Sequence, residues 1–169
     1  MSSTAPRRAN WSRLSVMLHW LIVVLIIVQF LDHESMVALW DHTIEAKPID
    51  PSDTTFGWVH IIAGTMILAA AAIRLLDRVM RGRPPYSERE PHWATLFAKL
   101  THFLIYAILL AMPAAGLVAW FTGNDDIAGI HTLFWTPLLI LIGLHVAGAL
   151  AQHFYFKTDA LKRIVRLGA

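Results

Sequence analysis

The chain has 169 residues, 56% of them apolar and only 15% charged, with seven tryptophans, no cysteine, a formal net charge of +2 and a mean hydropathy of +0.53. Those figures belong to a membrane protein, and a soluble helical bundle is excluded because several windows have no polar face. The lack of cysteine rules out disulfides and thiolate metal sites, leaving His, Met and carboxylate as metal ligands. The pI of 9.2 does not signal nucleic acid, because the cations gather at particular points of the chain.

The first apolar window runs from Leu14 to Leu31 and carries His19. Arg7, Arg8 and Arg13 precede it as in a secretory signal, but the run is long and no small-residue cleavage site follows, so it reads as a retained span. From Asp32 to Phe56 comes a loop with six acids, Asp32, Glu34, Asp41, Glu45, Asp50 and Asp53, and a single lysine, Lys47. The second window, Gly57 to Leu76, has His60 near its start and Arg74 near its end. A loop from Asp77 to Leu96 with four arginines leads to the third window, Phe97 to Phe121, which contains His102 and Pro113. The fourth, Ile127 to Phe156, contains His131, Pro137, His145 and His153, and four basic residues follow it. A hydrocarbon core about 30 Å thick takes about 20 helical residues, and each window is long enough. Lipid offers backbone amides no partner, so each must be helical. Pro113 and Pro137 remove backbone bonds and should bend their helices.

Nearly all the Lys and Arg fall at the two termini and in the second loop, which predicts that these are cytoplasmic and that the chain is a multi-pass protein of a bacterial inner membrane. Trp11, Trp40, Trp58, Trp93 and Trp120 lie near the span ends, where indoles prefer to sit. One transmembrane domain over residues 1–169 is expected, with no repeat and no soluble domain.

The nine histidines sort by depth. His33, His42 and His92 fall in loops and read as solvated. His19, His60, His102, His131, His145 and His153 lie in or at the ends of spans, where ionisable groups are costly and usually functional. His131 and His145 are 14 residues apart, so on one helix they return to within roughly 40° of the same face, about 21 Å apart along the axis. That stagger is too long for two metals in contact, and no His-Glu-x-x-His zinc motif occurs. It suits two flat cofactors at two levels, each taking one imidazole from this helix and one from another. Haem b with two axial histidines meets that demand. His60 and His131 both lie toward the external side and form one pair. His19 lies toward the cytoplasmic side and can pair with His145. By depth alone, however, His102 or His153 suits His19 better, because His19 is six residues from Arg13 and His145 twelve from Lys157, a mismatch of about 9 Å.

The segments SVMLHWLIVVL, GWVHIIAGTMILAAAAIRLL, LTHFLIYAILLAMPAAGLV and IGLHVAGALAQHFYFKTDALKR resemble the prokaryotic cytochrome b561 family, whose best-known type is a superoxide oxidase. The wider superfamily includes di-haem anchor subunits of nickel-iron hydrogenases and formate dehydrogenases. The resemblance implies an all-α, integral membrane four-helix bundle with two stacked b-type haems. It also implies a cytoplasmic-side haem on His19 and His145, an external-side haem on His60 and His131, and electron transfer from superoxide to ubiquinone.

Other residues then take candidate roles. Gly57, Gly64, Gly143 and Gly148 lie close to the expected ligands and would leave gaps for a porphyrin, or serve helix packing. Arg74 can pair with a haem propionate or snorkel to the interface. His102 and His153 sit near the cytoplasmic boundary, where a quinone headgroup needs a donor and a proton route. A superoxide oxidase should attract its anion electrostatically, yet Lys47 stands alone in an acidic external loop. Three functions compete: a stand-alone oxidoreductase passing electrons from superoxide to membrane quinone, a di-haem anchor serving a separate periplasmic or membrane-bound redox protein, and a haem-free, histidine-lined metal or proton carrier.

Overall fold

The computed structural model describes residues 10–82, 84 and 90–165. Arg7, Arg8, Arg83, Arg89 and Arg166, all counted in the charge asymmetry above, lie outside the described residues. Ser12 starts the first helix, α1 (Arg13–Leu31), by accepting a hydrogen bond from the Ser15 amide at 3.0 Å. Such a cap satisfies one of the amides that a helix start leaves unpaired. The Ser12 hydroxyl donates in turn to the Asp77 carboxylate at 2.7 Å, near the end of the third helix, so the start of α1 and the end of that helix lie at one face of the membrane.

The segment after α1 is not a loop. It folds as α2 (His33–Glu45), an amphipathic helix whose Leu39 is 4% exposed against Gly57 of the next helix. A Cβ on Gly57 would lie 2.6 Å from Leu39 Cδ2, so this glycine serves close packing of α2 on α3 rather than a cofactor gap. Gly64 faces the Gln29 amide, while nothing stands within 4 Å of a Cβ on Gly143 or Gly148.

Helix α3 (Pro51–Arg81) starts with proline in its first turn, where the missing N–H costs nothing, and ends with Arg78 and Arg81 beside the negative end of its dipole. Arg81 pairs with Asp77 at 2.8 Å. Helix α4 (His92–Thr122) carries Pro113 internally and stops at Gly123, whose φ of 63° is the left-handed cap that glycine accepts most readily. Asn124 at once caps α5 (Asp125–Leu133) through the Ile127 amide. The fourth span is thus two helices, α5 and α6 (Trp135–Phe154), meeting at Phe134. Pro137 explains the junction, since it cannot donate to the carbonyl four residues back, that of Leu133. A short α7 (Ala160–Val165) returns to α1, where the Trp20 indole donates to the Ile164 carbonyl.

Among the described residues, four helical stretches are long and apolar enough to span: 13–31, 51–81, 92–122 and 125–154. Ile22, Ala63, Ile67, Ala71, Ile108 and Leu138 meet in the centre, with alanines letting the backbones approach. Outward, Met17, Phe103 and Phe121 are more than half exposed, a surface that only lipid covers without penalty. The architecture is an all-helical membrane bundle.

Candidate functional site

Toward the end of the bundle that holds α2, the His60 and His131 rings stand 6.3 Å apart, centre to centre. The His60 Nδ1–H donates to the Asp32 carboxylate at 2.8 Å, and the His131 Nδ1–H donates to the Met112 carbonyl at 2.7 Å. A hydrogen bond at Nδ1 leaves Nε2 as the lone-pair atom of each ring. Met112 and Gly116 are one turn apart on α4 and therefore share a face. A Cβ at Gly116 would come within 2.8 Å of His131 Nδ1, so the glycine leaves the space in which that ring lies. A cavity of about 440 Å³ opens here, lined by both histidines and by His33, Gln29, Trp40 and Trp120. Its size falls in the range of small-molecule and cofactor sites.

Toward the other end, the His145 ring centre is 6.2 Å from that of His19 and 4.9 Å from that of His102. His102 is anchored by its Nδ1–H to the Ala98 carbonyl at 2.6 Å. The Arg74 Nε donates to the Ser15 carbonyl, and both Arg74 and Arg78 lie over the Tyr106 ring, with guanidinium carbons 5.9 and 5.8 Å from its centre. His153 is apart from this group: its ring meets Phe154, and its buried Nδ1 has no hydrogen-bond partner.

These spacings can be tested against an iron porphyrin. A metal–imidazole bond is about 2 Å long and the ring centre lies about 1.1 Å beyond the nitrogen, so two imidazoles on opposite sides of one iron place their centres roughly 6.2 Å apart. The His60–His131 and His19–His145 pairs fit this value, whereas His102–His145 is too short to admit a metal ion between the rings. Among the described residues, no group of three or more His, Asp or Glu converges to hold a bare ion.

Charge is arranged differently outside the bundle. Lys47 lies between Asp41, at 2.8 Å, and Glu45, at 2.9 Å, and these hydrogen bonds hold its ammonium well above the usual lysine range. Its positive charge is therefore matched locally. At the opposite end, burial pushes the Glu90 carboxyl up despite hydrogen bonds from Thr95 and Gln152.

Sequence reasoning missed several of these residues. From sequence Asp32 reads as part of the acidic loop, and Gly116 and Met112 carry no signal of a role, whereas His33, expected to be solvated, is exposed and also lines the cavity. The one signal for Asp32 was an acid directly at the end of an apolar span. The Met112 carbonyl leaves no trace in residue type.

Comparison with known proteins follows the same lines. The family described as Prokaryotic cytochrome b561 matches residues 10–166. Cytochrome b562 of Cereibacter sphaeroides is 26% identical over 157 residues, covering 93% of this chain and 96% of that protein. A Yersinia pestis protein named Probable superoxide oxidase CybB is 23% identical over 179 aligned positions, covering 92% of this chain and 96% of its own. A b-type cytochrome family implies haem b, which the two histidine pairs fit and which sets aside a haem-free carrier. With four membrane-length helices and a match along nearly its whole length, the chain is a membrane electron-transfer protein that belongs to the prokaryotic cytochrome b561 family.

Proposed function

We propose that the chain is a single-domain di-haem cytochrome that carries electrons between a donor on the external face and a quinone in the membrane, with ubiquinone the expected acceptor. His60 and His131 hold the external haem, and His19 and His145 hold the cytoplasmic one. The observation that carries this reading is the repeat of one axial spacing, 6.3 and 6.2 Å, at two levels of one bundle. Bound haem b supplies one-electron chemistry at both levels. The chain itself orients the imidazoles, excludes water and offers proton-bearing groups near the cytoplasmic end. His102, beside His145 but too close to share an axial position with it, is placed to hydrogen-bond or protonate a quinone headgroup through its free Nε2. Arg74 and Arg78, stacked with Tyr106, suit a haem propionate. His153 remains a second candidate for the quinone site. Both termini face the cytoplasm in this reading, as the placement of arginine and lysine favours.

The donor is superoxide in the first reading, supported by the likeness to the Yersinia pestis protein. A specific observation favours a second one. With Lys47 matched by two carboxylates, the external face has little to attract a small anion, which suits electron delivery by a separate redox protein. Mixing the purified protein with a superoxide source and a quinone separates the two. Haem reduction followed by quinol formation supports superoxide as donor. Haems that stay oxidised under superoxide but are reduced by quinol support the anchor reading.

A further inference from the structure

Asp32 occupies the corner between α1 and α2 and is both the last cap of one helix and the first of the other. An aspartate at a helix start normally accepts a hydrogen bond from an amide of the first turn, a cap worth about 1 kcal/mol. Asp32 makes no such bond. Its backbone has φ −100° and ψ 6°, and its carboxylate turns to the second span, where Oδ1 accepts the His60 Nδ1–H at 2.8 Å. The residue is only 3% exposed, and its other oxygen, Oδ2, is buried without a partner. A buried carboxylate with half its acceptors unmet is costly unless a positive charge lies close by. The imidazole is the route to one, since ferric porphyrin carries net positive charge and His60 Nε2 points away from the carboxylate. On the opposite ring, the Nδ1–H of His131 meets a neutral carbonyl, that of Met112.

We propose that Asp32 is a positioning residue that holds His60 by its Nδ1–H and keeps the reduction potential of the external haem low. A carboxylate partner fixes the ring's tautomer and orientation and makes Nε2 a stronger donor, which favours the oxidised iron. Its negative charge, on a residue only 3% exposed and therefore weakly screened, acts in the same direction. The inference rests on His60 being an iron ligand, as proposed above.

The test is redox titration of the purified full chain, followed by absorption spectra, with haem counted per chain and ligation read by electron paramagnetic resonance. In Asp32→Asn, two haems should remain while one of two potentials shifts about tenfold toward the reduced form, or about 59 mV for a one-electron couple. The ferric resonance of that haem alone should move, and Asp32→Glu should recover part of both changes. If Asp32→Asn loses a haem, Asp32→Glu carries the test: the lengthened carboxylate must shift the external potential alone, and a potential equal to that of wild type overturns the role. Unchanged potentials with both haems bound, or equal shifts in both, would overturn the role of Asp32 and leave the ligand assignment standing. Retention of both haems by His60→Ala would instead remove the assignment beneath it.

Discussion

The histidine site at the α2 end of the bundle and the one at the opposite end are built to different degrees of constraint. At the α2 end, each ring has its Nδ1 tied to another helix or turn, one to a carboxylate and one to a carbonyl, and a glycine makes room for one of them. At the opposite end two rings, those of His19 and His102, converge on His145, and the Nδ1 anchor seen on His102 belongs to the ring whose spacing does not suit a haem ligand. Outer-shell bonds fix ring orientation before a metal arrives. The site at the α2 end is thus the prearranged one. The opposite site holds an additional histidine, His102, which in the proposed reading serves a quinone rather than an iron.

The sharpest way to break this comparison is to exchange the roles at the cytoplasmic end. His19→Ala and His145→Ala should each abolish the cytoplasmic haem and leave the external one, whereas His102→Ala should retain both and slow quinol turnover on the order of 100-fold, the usual scale for loss of a positioned proton carrier. Haem loss in His102→Ala, by absorption and quantification, would reverse the assignment.

Gly116→Ala probes the external side alone. Its Cβ must displace the His131 ring, at a cost of about 1–3 kcal/mol typical of overpacking, so thermal release of the external haem should come earlier while the cytoplasmic spectrum is unchanged. Lys47→Ala should have less effect. If its charge is already matched by Asp41 and Glu45, the rate of reduction by superoxide should change less than about twofold, against the ~10-fold or more that steering by a free positive patch supplies.

The smallest expected effect lies at Glu90, with its raised carboxyl pKa. The folded chain holds that proton more tightly than the unfolded chain does. Stability from this group is therefore complete below the ordinary value of 4.5 and is lost as pH rises through the folded value. Glu90→Gln, which preserves the polar contact with Gln152, should melt at or above wild type near pH 7 and match it at about pH 4, as followed by circular dichroism.

The spans were legible because uninterrupted apolar runs of this length have few alternatives. The break at Phe134 was foreshadowed by Pro137, and the all-helical membrane fold followed from the same runs. Helix α2 was not, since its acids dominate the composition of the segment and its packing surface is narrow, centred on Leu39 against Gly57. The histidines stood out as costly groups in lipid, and their spacing along the last span suggested two levels. Their partners did not, because Asp32 and His60 are 28 residues apart and Met112 and His131 are 19 apart, so the contacts exist only once helices pack. Sequence depth also left His19 with three candidate partners, and the ring spacings now distinguish His145 from His102 while His153 lies elsewhere.

The most direct measurement is haem stoichiometry in purified wild type and His131→Ala, by quantitative haem assay and reduced absorption spectra. Two b-type haems per wild-type chain, and one in the variant with the cytoplasmic spectrum preserved, are the expected results. A colourless wild-type protein, or two intact haems after removal of His131, would contradict axial ligation at two levels of this bundle.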